Sequence, residues 1–136
     1  MAWVVDTSLL IDISMKHQPF ARPAADLLDV KSVDGLVICP VTYVEIAPLF
    51  GGSTSDADAF LQATNIGPIP LWSDRDTRAA FAAWHRATLR KRQQQDRKRP
   101  VADVLIGAFA LRFDGLLTRN AADFKILFPT LTLVEP

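Results

Sequence analysis

The sequence has a single cysteine, Cys39, and only two histidines, His17 and His85, among its 136 residues. One cysteine excludes both an internal disulfide and a thiolate zinc cluster. Its place in the apolar run Leu36-Val37-Ile38-Cys39 marks it as a small buried hydrophobe rather than a nucleophile. His17 stands in a polar stretch before Pro19 and His85 follows Trp84 on a helical pattern, so no Ser-His-Asp arrangement is visible. Glutamate is also scarce. Thirteen of the fifteen acids are aspartates, and Glu135 is next to last, which leaves Glu45 as the one interior glutamate. No apolar run approaches the ~20 residues that cross a bilayer. The start, Met1-Ala2-Trp3-Val4-Val5-Asp6, lacks the basic residues and long apolar stretch of a secretory signal. A cytoplasmic protein with no membrane association is expected.

What is present is a chain that is 49% hydrophobic, enough to bury a core, and of a length suited to one domain over residues 1–136. The formal net charge of zero excludes nucleic-acid binding by overall charge alone. The distribution is uneven, however: seven of the fifteen basic residues lie between Arg86 and Arg99, with Asp96 the sole acid among them.

Short apolar runs alternate with helical patterns. Strands are predicted at Trp3-Val4-Val5, Leu36 to Cys39 (stopped by Pro40), Ile69 to Trp72, Leu116 to Thr118 and Leu131 to Val134. Between them helices are predicted near Leu9 to Ile13, from about Ala21 to Val33, and from Thr42 toward Phe50, with Pro48 kinking or closing the last and Gly51-Gly52 ending it. Another covers Ser55 to Thr64, with Ala57, Phe60, Leu61 and Thr64 on one face. A long helix is capped by Ser73 with Asp76 three residues on, and buries Phe81, Trp84, Thr88 and Leu89; a further helix starts at Pro100. Buried strands separated by helices imply an α/β fold with a mostly parallel sheet covered on both faces. In such sheets, sites form beyond the carboxyl ends of the strands.

Four carboxylates fall where that rule points. Asp6 follows the first strand, Glu45 lies in the first turn expected after the second, Asp103 in the first turn of the helix from Pro100, and Asp123 a few residues past Thr118. Each has a structural alternative. Asp6 could cap the next helix, Thr42-Tyr43-Val44-Glu45 reads as a capping box, Asp103 could complement a helix dipole, and Asp123 could cap a turn begun at Asn120. Together they say more. Asp6 is flanked by Val4, Val5, Leu9 and Leu10, and Asp103 by Val101, Ala102, Val104 and Leu105. Carboxylates in apolar surroundings are costly unless compensated, and like charges gathered together repel. A divalent cation relieves both costs, and oxygen-only ligands select Mg²⁺ or Mn²⁺.

These residues resemble a known family. The runs Val4-Val5-Asp6-Thr7-Ser8-Leu9-Leu10-Ile11, Val41-Thr42-Tyr43-Val44-Glu45-Ile46, Ala102-Asp103-Val104-Leu105-Ile106-Gly107-Ala108-Phe109-Ala110 and Leu117-Thr118-Arg119-Asn120-Ala121-Ala122-Asp123-Phe124, closing with Leu131-Thr132-Leu133-Val134, are similar to those of PIN domains, and of the VapC class of bacterial toxin ribonucleases in particular. No one run is specific, but four in family order span nearly the whole chain.

The resemblance implies a PIN-like three-layer α/β/α fold with roughly five mostly parallel strands. It also implies a Mg²⁺- or Mn²⁺-dependent endoribonuclease. Asp6 and Asp103 would be the core metal ligands, and Glu45 and Asp123 would complete the site directly or through water. Thr7, Ser8, Thr118 and Asn120 would orient carboxylates or touch phosphate, Arg119 is a candidate phosphate contact, and the segment from Arg86 to Arg99 could help hold RNA. A cognate VapB-like antitoxin and a homodimer are the partners the resemblance implies. The alternative is a catalytically inactive PIN-like module that binds RNA or protein. A haloacid-dehalogenase phosphatase fits less well, since Ser8 stands where the second Asp of Asp-x-Asp is needed; a receiver-like domain fails because Ser73, not Asp, follows the third expected strand.

Overall fold

The computed structural model describes residues 1–94 and 101–136, with side chains described outside 91–100. Its centre is a sheet of four short strands, β1 (Trp3–Val5), β2 (Leu36–Val37), β3 (Gly115–Leu117) and β4 (Leu133–Val134), in the order β2-β1-β3-β4. All three pairings are parallel: Trp3 stands opposite both Leu36 and Gly115, Val5 opposite Leu117, and Leu117 opposite Val134. The described helices are α1 (Thr7–Ser14), α2 (Ala21–Lys31), α3 (Pro40–Glu45), α4 (Thr54–Ala63), α5 (Asp74–Gln94), α6 (Val101–Ala110) and α7 (Ala121–Leu127).

Alternation along the strands divides the core in two. Val4 and Leu116 point to one face, where they pack with Ala83 of α5, Val104 and Phe109 of α6 and Phe124 of α7. Val5 and Leu117 point to the other, against Leu9 and Leu10 of α1, Leu28 of α2 and Leu61 of α4. Every one of these is at most 6% exposed. The strands carry no polar face because both faces are covered, as the unbroken apolar runs led one to expect.

Among the described residues four strands form rather than the expected five. Residues Ile69 to Trp72 do not pair; instead Ile66 makes an isolated parallel bridge to Leu36, and the Gly67 N–H donates to the Leu36 carbonyl at 2.8 Å. Pro68 and Pro70 remove the donors that a longer edge strand would need. β3 is also shifted: it starts at Gly115 and ends at Leu117, so Thr118 lies just beyond the carboxyl end, its N–H donating to Val134 O at 3.0 Å.

The helix after β2 begins at Pro40, not Thr42. Cys39 is its extended N-cap and Pro40 occupies the first turn, where a missing N–H costs nothing. α3 therefore ends at Glu45, and a 3-10 turn over Ala47–Phe50, containing Pro48, leads into Gly51 and Gly52 at φ 57° and 77°.

At α5 the expected cap is present in reciprocal form. The Asp76 N–H donates to Ser73 Oγ at 3.2 Å and the Ser73 N–H donates to Asp76 Oδ2 at 2.9 Å. The expected buried stripe is kept only in part, at Trp84, which packs against the core, and at half-buried Thr88. Phe81 is 78% and Leu89 44% exposed, while Ala80 and Ala83 are buried. Small residues let α5 lie close against the sheet-facing helices, which turns the large side chains one position further round outward. The predicted start of α6 at Pro100 lies outside the described residues. Within α6, the Phe128 ring occupies the space a side chain at Gly107 would need. No helix among the described residues is long and apolar enough to cross a membrane.

Candidate metal centre

Asp6 sits at the carboxyl end of the central strand, its N–H bonded to Leu117 O of β3 at 2.9 Å. It is the extended N-cap residue of α1, yet its side chain makes no capping bond. The helix-capping explanation for this carboxylate therefore falls. The side chain is instead held in a built polar setting while the residue is only 3% exposed. Both Ser8 Oγ, at 2.8 Å, and Thr118 Oγ1, at 2.7 Å, donate to the same oxygen, Oδ2. Burial pushes the carboxyl above its ordinary range, the hydrogen bonds from Thr118, Ser8 and the Thr7 amide oppose that, and the charge of Glu45 adds to the rise.

Thr118 works in both directions: it donates to Asp6 and accepts the Asn120 N–H at 3.0 Å. On the other side of Asp6, the Thr7 hydroxyl donates to Glu45 Oε1 at 2.7 Å and lies 3.0 Å from Thr42 Oγ1. Glu45 is not in a first turn and forms no capping box with Thr42. It is the last residue of α3, exposed, with Thr42 buried one turn before it. Starting the helix at Pro40 moves the expected box into the helix interior, where the Thr42 N–H is already bonded to Cys39 O at 2.9 Å. Thr42 was not among the residues singled out in the sequence, because its capping role looked sufficient.

Asp103 does lie in the first turn of its helix, half-buried. Its carboxyl is pushed up to about 6, first by burial and then by the charges of Asp6, Asp123 and Glu45. Asp103 thus feels each of the other three expected acids. Asp123 is in the first turn of α7, exposed, its N–H on Asn120 O at 3.1 Å; Asn120 precedes the helix without a side-chain cap.

The donor set suits a hard divalent cation: four carboxylates, no sulfur, no imidazole, and a mutual repulsion that a cation would neutralise. The shell is not closed, however. Among the described residues no group of three or more His, Cys, Asp or Glu side chains is arranged to hold a metal ion. The four acids share one electrostatic field without converging on one point.

Arg119 behaves otherwise than a free phosphate contact. Its Nε donates to Asp12 Oδ2 at 2.7 Å and its Nη2 to Asp12 Oδ1 at 3.1 Å, and its guanidinium lies 4.1 Å from the centre of the Phe20 ring. Asp12 is fully buried, and His17 Nδ1 reaches its Oδ1 at 3.2 Å. Sequence reasoning passed over Asp12. The signal was available: a lone carboxylate inside Leu9-Leu10-Ile11-Asp12-Ile13 needs a partner. Of the expected basic segment, Arg86 donates from Nη2 to Leu127 O at 2.9 Å and so ties α5 to α7; the side chains of residues 91–100 lie outside those described.

Comparison with solved structures identifies the fold. The chain superposes on a chain of VapBC2 from Rickettsia felis, solved bound to a DNA fragment from their promoter, with a TM-score of 0.68 and 19% identity over 99% of this chain and 98% of that one. It superposes equally on VapBC-1 from nontypeable Haemophilus influenzae, with a TM-score of 0.67 and 18% identity over 99% and 98% of the two chains. No protein-family model and no curated protein matches the sequence. The α/β fold expected from the four runs is therefore the one found, with one strand fewer.

Proposed function

We propose that this chain is a metal-dependent endoribonuclease of the VapC type, the toxin of a type II toxin–antitoxin pair. One observation carries the reading. At the carboxyl end of the central strand, Asp6 is buried and oriented by two hydroxyls, Ser8 and Thr118, on the two segments that leave β1 and β3. A carboxylate that merely capped α1 would have no use for them. The charges of Asp6, Asp123 and Glu45 acting together on Asp103, and a fold shared with chains of VapBC structures, support the same conclusion.

Asp6 and Asp103 would hold a Mg²⁺ or Mn²⁺ ion, with Glu45 and Asp123 joining directly or through water. When bound, such an ion supplies an acidified water and neutralises charge on the RNA phosphate. Ser8 and Thr118 fix the Asp6 carboxylate through Oδ2. Thr7 holds Glu45 from below through the 2.7 Å bond to Oε1. Asn120, exposed at the start of α7, stands ready to meet substrate. A VapB-like antitoxin, a second copy of the chain and a cytoplasmic location belong to the same proposal.

The unclosed carboxylate shell favours a second reading, an inactive module of the same fold that binds RNA or protein. One experiment separates them. Purified protein is incubated with single-stranded RNA in Mg²⁺ or Mn²⁺ and in excess EDTA, alongside Asp6→Asn and Asp103→Asn, with circular dichroism as the check on folding. The nuclease reading expects metal-dependent cleavage that both variants lose while remaining folded. Full cleavage in either variant or in EDTA overturns it. Absence of cleavage together with absence of any thermal shift on Mn²⁺ titration establishes the inactive module.

A further inference from the structure

We propose that the ion pair between buried Asp12 and half-buried Arg119 is the positioning device of the acidic site: it pins the exit of β3 onto α1 so that the hydroxyls of Ser8 and Thr118 meet on one oxygen of Asp6. The proposal rests on the nuclease reading for its catalytic consequence but not for its structural one.

The two hydroxyls come from separate segments. Ser8 is on α1; Thr118 follows β3, 112 residues from Asp6 along the chain. The β1–β3 pairing sets their strand ends side by side, but it does not fix how α1 sits against the segment that leaves β3. Asp12 lies on α1 one turn beyond Ser8, and Arg119 is the residue next to Thr118. The fork of Arg119 takes both oxygens of Asp12, at 2.7 and 3.1 Å, which fixes orientation as well as distance. The Arg119 N–H, for its part, reaches Ser8 Oγ at 3.4 Å, so backbone and side chain of one residue touch α1 at two points a turn apart. Phe20 covers the guanidinium, which keeps it from swinging away.

A phosphate-binding arginine would be expected to hold its guanidinium toward the acidic site. Here it is neutralised by a carboxylate with no exposure at all. Arg119 therefore acts through Asp12 and Thr118 and is a positioning residue, not a catalytic one. Outer groups of this kind commonly alter metal affinity or activity by about 10–100-fold.

The test uses Arg119→Lys, Arg119→Gln and Asp12→Asn in the full chain. In the metal-free protein, amide hydrogen exchange at Asn120, whose N–H rests on Thr118, is expected to rise about tenfold in Arg119→Gln and Asp12→Asn alike and to be partly restored in Arg119→Lys, which keeps the charge and loses the fork. The Mn²⁺ concentration for half-maximal thermal shift should rise about tenfold, and kcat for RNA cleavage should fall with KM nearly unchanged. A lower Tm with unaltered exchange at Asn120 would make the pair simple structural glue and overturn the proposal. So would a raised KM with a weaker salt dependence in Arg119→Gln but not in Asp12→Asn, the signature of a direct phosphate contact. Should Asp12→Asn fail to fold, Arg119→Lys still decides. Should the parent chain neither bind Mn²⁺ nor cut RNA, the nuclease reading falls alone, and the exchange measurement still settles whether the clamp orders residues 118–120.

Discussion

Thr118 and Asp6 are 112 residues apart in the chain, yet the threonine hydroxyl donates to the aspartate carboxylate at 2.7 Å with both residues buried. The bond exists because β1 and β3 are neighbours in a parallel sheet, which brings their carboxyl ends side by side. Thr118→Val keeps the shape and removes the donor. It also strips the Asn120 N–H of its acceptor. The variant is expected to lose about 1–3 kcal/mol of stability and about 10–100-fold in cleavage rate. Denaturant unfolding and single-turnover cleavage would measure the two, and an unchanged rate would remove Thr118 from the site.

Asp103 gives the protein a pH dependence of definite sign. Its carboxyl is raised from 3.8 to about 6 in the folded protein. Below the lower value both folded and unfolded chains hold the proton. Between the two values the folded chain holds a proton that the unfolded chain has released, so the Asp103 contribution to stability falls as pH rises, and its full cost is present above about 6. Asp103→Asn is therefore expected to melt a few degrees higher than the parent at pH 7.5 and level with it near the bottom of that window. Thermal scans across pH check this; a variant less stable at neutral pH would contradict it.

The same acids predict what a cation does. Metal binding requires Asp103 deprotonated, so Mn²⁺ should stabilise the parent more above pH 6 than below it. At 100 times its dissociation constant an ion adds about 2.7 kcal/mol, and EDTA should reverse the gain. Asp6→Asn should show little of it. Equal stabilisation of parent and Asp6→Asn would place the ion elsewhere.

A second pair, on the buried carboxylate of Asp76, serves the fold and not the site. Arg112 donates to both oxygens of Asp76, at 2.6 and 2.8 Å, and to Leu71 O at 3.0 Å, with its guanidinium over Phe109 and Phe113. Asp76 is fully buried and also closes the cap on α5. Arg112→Ala leaves that carboxylate unpaired and is expected to cost about 3–5 kcal/mol, with cleavage by the remaining folded protein near the parent value. Urea unfolding and activity at low temperature would show whether the two effects separate as stated.

The sequence by itself determined the class of the fold and most of the order of its elements, and it singled out the acids as candidates. Short unbroken apolar runs between helical patterns are the mark of strands covered on both sides, and lone carboxylates inside apolar runs demand a reason. The cap at Ser73 was equally legible, since capping is a matter of a few neighbouring residues. Only the tertiary structure decided how the acids are held. Whether Glu45 opens a helix or ends one depended on Pro40 taking the first turn. That Ile69 to Trp72 stays unpaired depended on Ile66 and Gly67 taking the edge of β2 at Leu36. Thr118 and Arg119, which reach Asp6 and Asp12, come from the far end of the chain, where no local pattern could announce them. Hydrogen bonds between segments a hundred residues apart are set by strand register and helix docking, and those are properties of the packed core rather than of any stretch of sequence.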